Sequence, residues 1–519
     1  MEQMHPKCPG LNGSKEVLME KRKHVRCIMV QGTMSDAGKS ILVTALCRIF
    51  RQDGYRVMPF KSQNMALNSY ITRDGLEMGR AQVAQAEAAG QEPDARMNPI
   101  LLKPSSDNGS QLIVVGKVRG EMDAKEYYRH KDELIPEILD AYYSLAEDAD
   151  IMVIEGAGSP SEINLKDVDI VNMGFAKLVD APVILAGDID RGGVFAQLYG
   201  TVGLMDEEER SHIEAMVINK FRGDVSILMP GVEKLEEMTG IPVLGVVPYL
   251  DVDIDDEDSL SQRLTRVKAE KPIDIAVIRV PRLCNFTDFS PLEAHPALGV
   301  RYVRKKDELG SPDLVVLPGT KSTIDDLVWM RETGMEAKVL QLAKKGTPIL
   351  GVCGGYQMMG EQLDNPDHLE GPRDGIRGMG LLPVTTTFKP LKRRTRYLAE
   401  VVSPLFEGAK LDGYEIHMGR TDVSGDPFIQ LESGEYDGCI KGNVFGTYLH
   451  GLFDTAELTE KLADWLCERK GIDMAGYRPE SHNDYKEKQY DKLAEGVREV
   501  LDIDKIYEIM DKYDAKYSD

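Results

Sequence analysis

Short apolar runs rich in valine and isoleucine recur along the first half of the chain, at 27–30, 57–60, 151–154, 183–186, 216–218 and 243–247, with longer helix-like stretches between them. Runs this short and this continuously apolar predict strands covered on both faces, and their alternation with helical segments predicts βαβ units around a parallel sheet. The stretch Asp251-Val-Asp-Ile-Asp-Asp-Glu-Asp258 interrupts this rhythm with dense like charge, which repels and stays solvated. A second series follows at 273–280, 314–317 and 348–352, separated by helical stretches such as 323–345. From 436 to 453 the spacing shortens around Gly438, Gly442, Gly446 and Gly451, predicting short strands, before an amphipathic helix over 456–470 and a charged closing helix over 485–517.

These breaks predict an N-terminal extension (1–24), a first α/β domain (25–250), an acidic linker (251–272), a second α/β domain (273–480) and a helical tail (481–519). A chain of 519 residues is too long for one hydrophobic core. A net charge of -23 argues against nucleic acid as the main partner, because phosphate neutralisation needs clustered Lys and Arg. Seven scattered cysteines offer neither a disulfide framework nor a CxxC metal pattern, and no apolar stretch reaches membrane-spanning length. With no signal-peptide core near the start, a soluble protein of the reducing cytoplasm is expected.

Directly after the first predicted strand stands Gly32-Thr33-Met-Ser-Asp-Ala-Gly38-Lys39-Ser40, followed by the apolar-periodic helix of Ile41, Leu42, Ala45, Leu46 and Ile49. Glycines let backbone N–H groups wrap phosphates, Lys39 meets their charge and the Ser40 hydroxyl holds Mg²⁺, all at a helix N-terminus. A chance Gly-Lys-Ser in a glycine-rich turn would lack this strand and helix context. Five positions rather than four separate Gly32 from Gly38, a lengthening that resembles the dethiobiotin synthetase group of ATPases. Glu155, in Val-Ile-Glu-Gly-Ala-Gly158, stands at a predicted strand end, where open α/β sheets place their ligands, and is a candidate Mg²⁺ ligand. Asp188 has a weaker case and reads as a cap for Arg191. Asn219 and Lys220 resemble the Asn-Lys pair with which many P-loop proteins hold a nucleotide base.

In the second domain, Pro348-Ile-Leu-Gly-Val-Cys353-Gly354-Gly-Tyr-Gln357 places one Cys between an apolar strand and the glycines that open a helix. Such an elbow exposes the sulfur, turns the Gly354 N–H toward a developing oxyanion and sets a thiolate against the positive end of a helix. A buried structural Cys would not need three glycines around it. His450, in Thr-Tyr-Leu-His-Gly-Leu-Phe453, is the candidate base, about a hundred residues on, a separation that resembles class I glutamine amidotransferases. Gly319, in Pro318-Gly-Thr320, is the second oxyanion candidate. The usual Glu two residues past the His is absent, Leu452 standing there, so Asp454, or Glu415 and His417, are left as alternative orienters of the imidazole.

A lengthened P-loop joined to such a glutaminase resembles the cobyrinic acid amidating enzymes of corrinoid biosynthesis. The stretches Lys61-Ser-Gln-Asn64, Gly79-Arg-Ala-Gln-Val-Ala-Gln-Ala86, Arg96-Met-Asn-Pro-Ile-Leu-Leu-Lys-Pro104, Asp107-Asn-Gly-Ser-Gln111 and Tyr414-Glu-Ile-His417 carry the likeness over nearly the whole chain from Val25. The resemblance implies an α/β protein, with an N-terminal P-loop doubly wound parallel sheet domain and a C-terminal class I glutaminase-like domain. It further implies a glutamine-hydrolysing carbon–nitrogen ligase that uses ATP, Mg²⁺ and glutamine to amidate the b, d, e and g carboxylates of adenosylcobyrinic acid a,c-diamide. Residue chemistry alone stops at carboxylate activation by phosphoryl transfer. Asn64, Asn68, Arg80 and the 96–111 region, Gln111 among it, are the candidate contacts to a corrinoid polycarboxylate, which needs donors and positive charge near the γ-phosphate. The alternatives are an a,c-diamide synthase, a ligase acting on a cell-wall precursor or, in another class, a partitioning-type ATPase switch whose output is binding.

Overall fold

The computed structural model describes residues 24–104, 109–254, 271–477 and 481–517. Residues 1–23 of the expected extension and 255–270 of the expected acidic linker fall outside them, as do Asp107 and Asn108.

All six predicted strands of the first half form one parallel sheet, in the order Val243–Pro248, Ile213–Phe221, Val183–Asp188, Arg26–Gly32, Ile151–Glu155, Val57–Phe60. Its central strands are buried along their length, as their continuous apolar runs require. Every candidate nucleotide residue then falls at the C-terminal edge of this sheet, where parallel strands place a ligand crevice. Between Phe60 and Ile151 the chain adds a four-stranded sheet (Gln63–Met65, Ile100–Pro104, Gly109–Val114, Lys117–Asp123) and a two-stranded ribbon (Ser69–Ile71, Glu77–Gly79).

The second half is built on the order Leu298–Val303, Ile273–Ile278, Leu314–Leu317, Ile349–Val352, Val444–Thr447, with Cys439–Lys441 antiparallel at one edge. A separate sheet is dominated by the hairpin of Val384–Val401 with Lys410–Val423. The stretch expected as one helix over 323–345 is two, Thr323–Glu332 and Met335–Lys344, because Gly334 takes the left-handed conformation (φ 75°) and restarts the chain as the cap of the second. The helix over Ala456–Lys470 has the expected bounds.

The tail differs from expectation in two ways. It forms two helices, His482–Arg498 and Ile503–Asp514, and the break between them lets the Asp502 N–H reach the Leu244 carbonyl at 3.1 Å while its side chain caps the second helix. Both helices return to the first half: Tyr490, Leu493, Val497, Ile506 and Met510 join the apolar cluster of Leu46, Ile49 and Phe50 beneath the P-loop helix. Arg48 anchors this contact to Glu487 and Asp491, each at 2.8 Å.

Candidate active sites

The first strand delivers the P-loop at the centre of the sheet, and helix Lys39–Gln52 starts from Gly38 with φ 88°. A Cβ on Gly38 would lie 2.1 Å from Asn219 Nδ2, so a side chain there would push the loop off the strand end that braces it. Asn219 Nδ2 donates to the Ala37 carbonyl at 3.0 Å, and Thr33 Oγ1 donates to Gln197 Oε1 at 3.1 Å. Lys39 Nζ donates to the carbonyls of Met34 (3.0 Å) and Gly158 (3.1 Å), drawn back over the loop. Ser40 Oγ donates to Glu155 Oε1 at 2.9 Å, Lys61 Nζ reaches the same oxygen at 2.8 Å, and Gln85 donates to Glu155 Oε2. A hydroxyl and a carboxylate thus meet at the start of the P-loop helix, a hard-oxygen pair that suits Mg²⁺ completed by phosphate oxygens and water. No cluster of three His, Cys, Asp or Glu side chains able to hold a metal occurs among the described residues.

Asp188 does not cap Arg191. It lies opposite Asn219 in the sheet register, which brings Lys220 Nζ to Asp188 Oδ2 at 3.0 Å, while Arg191 pairs with Asp36 at 3.4 Å. Asn219 and Lys220 therefore both buttress the P-loop, Lys220 also donating to the Asp36 carbonyl.

The Cys353 elbow forms between strand Ile349–Val352 and helix Gly354–Met358, with Cys353 at φ 51° and ψ -108°. An L-residue holds such a conformation only where its surroundings force it. A Cβ on Gly355 would lie 2.0 Å from the Leu317 carbonyl, which explains the second glycine after the nucleophile. The buried sulfur lies 3.8 Å from the Ile416 carbonyl. Gly354 begins the helix, and Gly319 closes the other side: a Cβ there would stand 3.1 Å from His450 Cε1.

His450 is fully buried, and its Nδ1 lies 2.6 Å from Asp288 Oδ2, while Asp288 Oδ1 accepts the Gly451 N–H at 3.1 Å. Burial by itself would lower the imidazole pKa, but the Asp288 carboxylate and the Cys353 sulfur outweigh it and push it up to about 10. None of the expected orienters fills this place. Glu415 pairs with Arg393 at 2.8 Å, the His417 ring stacks on Tyr448 at 3.6 Å with Nδ1 2.7 Å from the Gly419 carbonyl, and Asp454 closes a turn by donating its main-chain N–H to the Gly451 carbonyl at 3.0 Å. Leu452, where related glutaminases carry Glu, is buried in the apolar core. Asp288 escapes sequence reasoning because it stands 162 residues before His450, in the turn Phe286–Phe289, with no local motif around it.

Of the substrate candidates, three gather at the start of helix Arg80–Ala89: Asn64 Nδ2 donates to Gln82 Oε1 at 3.0 Å, the Asn68 carbonyl accepts the Arg80 N–H at 3.3 Å, and the Arg80 guanidinium lies over the Tyr70 ring. Gln111 sits apart, opposite Lys103 in the four-stranded sheet. Arg96 is held by Asp94 at 2.6 Å.

Residues 28–260 match the CobQ/CobB/MinD/ParA nucleotide binding domain family, and residues 274–458 match the CobB/CobQ-like glutamine amidotransferase domain family. A cobyric acid synthase of Ruminiclostridium cellulolyticum is 54% identical over 499 residues, spanning 93% of this chain and 97% of its own length. The chain belongs to the cobyric acid synthase family. Members from Lachnoclostridium phytofermentans (54% identical, 94% of this chain and 99% of the relative) and Streptococcus sanguinis (52% identical, with the same two coverages) match equally end to end. Membership makes the chain a glutamine amidotransferase and ligase that forms cobyric acid by amidation and uses ATP. A partitioning-type switch is set aside, since these relatives span both domains. No described helix is long and apolar enough to cross a membrane.

Proposed function

We propose that the chain amidates the b, d, e and g carboxylates of adenosylcobyrinic acid a,c-diamide, with Cys353, His450 and Asp288 releasing ammonia from glutamine and the P-loop activating the carboxylates. The observation that carries the reading is the buried 2.6 Å contact between His450 and Asp288 beside a strained Cys353, a nucleophile, base and orienter in sequence. Cys353 Sγ attacks the glutamine carboxamide carbon, and the oxyanion is met by the N–H groups of Gly354 and Gly319. The His450 imidazolium gives its proton to the departing ammonia, and Asp288 holds the Nδ1–H tautomer throughout. Water, deprotonated by the neutral imidazole, then hydrolyses the thioester to glutamate and frees the thiol.

In the other half, a substrate carboxylate oxygen attacks the ATP γ-phosphorus, ADP leaves, and ammonia displaces phosphate from the acyl phosphate to give the amide. Lys39 swings from its loop carbonyls to the phosphates and balances their charge. Ser40 and Glu155 would hold Mg²⁺, which neutralises phosphate charge when bound. Asn219 and Lys220 fix the loop and would serve the nucleotide base, and Asn64, Asn68 and Arg80 would receive the polyacid, with Gln111 apart from them in the four-stranded sheet. The test is purified enzyme with ATP, amide-¹⁵N glutamine and adenosylcobyrinic acid a,c-diamide: four ¹⁵N amides in the product by mass spectrometry support the assignment, and fewer at exhaustion, or none, contradict it.

A further inference from the structure

One residue of the nucleotide half touches both supports of the catalytic imidazole. The Ser69 N–H donates to Asn285 Oδ1 at 3.1 Å, and the Ser69 carbonyl accepts the Tyr414 hydroxyl at 3.0 Å. Asn285, in the left-handed conformation with φ 51°, opens the turn that carries Asp288, whose N–H bonds back to the Asn285 carbonyl at 3.1 Å. Tyr414 exchanges both main-chain hydrogen bonds with His450, at 3.0 and 2.8 Å, and the two rings stack with centroids 5.4 Å apart. Ser69 therefore contacts the residue that opens the turn of Asp288 and the residue whose main chain pairs with His450.

Its hydroxyl faces the other way. Ser69 Oγ donates to Glu77 Oε1 at 3.0 Å and accepts from Lys103 Nζ at 2.8 Å, and Lys103 reaches Glu77 at 2.8 Å as well. The short strand Glu77–Gly79 runs without a break into helix Arg80–Ala89, whose Gln85 donates to Glu155, the carboxylate beside Ser40. Ser69, Glu77, Lys103, Asn285 and Tyr414 are all buried. Hydrogen bonds so placed have no water to replace them, so a displacement at one end is passed on rather than absorbed. Phosphates that drew Ser40 and Glu155 into new contacts would pull on Gln85 and its helix, and the ribbon that starts this helix carries Ser69.

We infer that Ser69 is the positioning residue through which occupancy of the nucleotide site sets the alignment of His450 and Asp288. The inference rests on reading Cys353, His450 and Asp288 as the glutaminase triad. It makes glutamine hydrolysis responsive to the other substrates: ammonia is released when an activated carboxylate is ready for it. Two sites and one physical connection between them are then specified, and the coupling is measurable as a ratio of rates.

The experiment measures ammonia released from glutamine by full-length enzyme, with and without ATP and adenosylcobyrinic acid a,c-diamide, in wild type, Ser69→Ala, Tyr414→Phe and the double variant. Ammonia-supported amidation is measured on the same preparations. Wild type is expected to be stimulated about tenfold or more, and each variant to lose about five- to tenfold of that stimulation, the effect of one buried hydrogen bond, with the double variant no worse. Ammonia-supported amidation should stay within about twofold of wild type in Tyr414→Phe, whose lost hydroxyl lies on the glutaminase side. Stimulation equal to wild type in both single variants overturns the inference, as does a wild type with no stimulation. An equal loss of ammonia-supported amidation in both also overturns it, because Ser69 and Tyr414 would then be holding the fold. Cys353→Ala run alongside must lose ammonia release; if it does not, the triad reading fails whatever the ratios show.

Discussion

The nucleotide loop and the glutaminase centre are both built where a buried strand ends and a helix begins, but they stand in different states of readiness. In the P-loop the reactive groups are occupied by the protein itself: Lys39 lies on two loop carbonyls and Glu155 is shared by Ser40, Lys61 and Gln85. In the glutaminase centre the imidazole is already paired with a carboxylate of the protein itself. A site that must receive a polyanion can satisfy its cations internally and exchange those contacts on binding. A site that must generate a nucleophile pays in buried charge instead, offsetting the burial of His450 with Asp288.

That contrast can be broken at Lys39. Replacing it with Ala should lower amidation by about 10³- to 10⁵-fold with either glutamine or ammonia, because both nitrogen sources need an activated carboxylate. Ammonia-dependent turnover near the wild-type rate in that variant would remove the P-loop from the reaction. The opposite side of the comparison is sharpened by Asp288→Asn. Loss of the orienting carboxylate should reduce glutamine hydrolysis by about 10³-fold and leave ammonia-supported amidation in place. The sign of the accompanying pH effect follows from the raised imidazole pKa. His450 stays protonated up to about 10 because Asp288 and Cys353 favour the cation, so removing the Asp288 charge lowers that value. The alkaline limb of glutaminase kcat/KM should therefore move toward neutral pH in Asp288→Asn; a limb that does not move would show that Asp288 does not set the imidazole charge.

The tail supplies a smaller test of which half it serves. Leu493 is fully buried in the cluster beneath the P-loop helix, and Leu493→Ala should cost about 3 kcal/mol of stability in the nucleotide half. Chemical denaturation followed by ATP binding would report it, and an unchanged midpoint would place the tail outside that core.

The same contrast governs what the sequence reveals. Gly32 to Ser40 is contiguous, and its strand and helix follow from apolar spacing, so both the loop and its place in the fold are legible. The Cys353 elbow is legible for the same reason. Asp288 is not, because it meets His450 only through folding and sits in a turn that any acidic residue could occupy. The tail shows helical spacing, but spacing says which face is apolar and not which domain will cover it. The hairpin of Val384–Val401 with Lys410–Val423 is missed because its Thr, Lys and Arg positions break up any apolar run, although Val384, Phe388, Ala399, Val401 and Leu411 join the core. Ser69 carries no sequence signal either: two of its links use main-chain groups that any residue possesses, and a lone serine hydroxyl, the third, marks no motif.

The division of labour between the halves is tested most directly by assaying Cys353→Ala with each nitrogen donor in turn. Glutamine-supported amidation should fall by about 10⁴-fold or more while ammonia-supported amidation remains within about twofold of wild type, since only the thioester route needs the sulfur. Equal loss of both activities, or retention of the glutamine-supported one, would contradict the account.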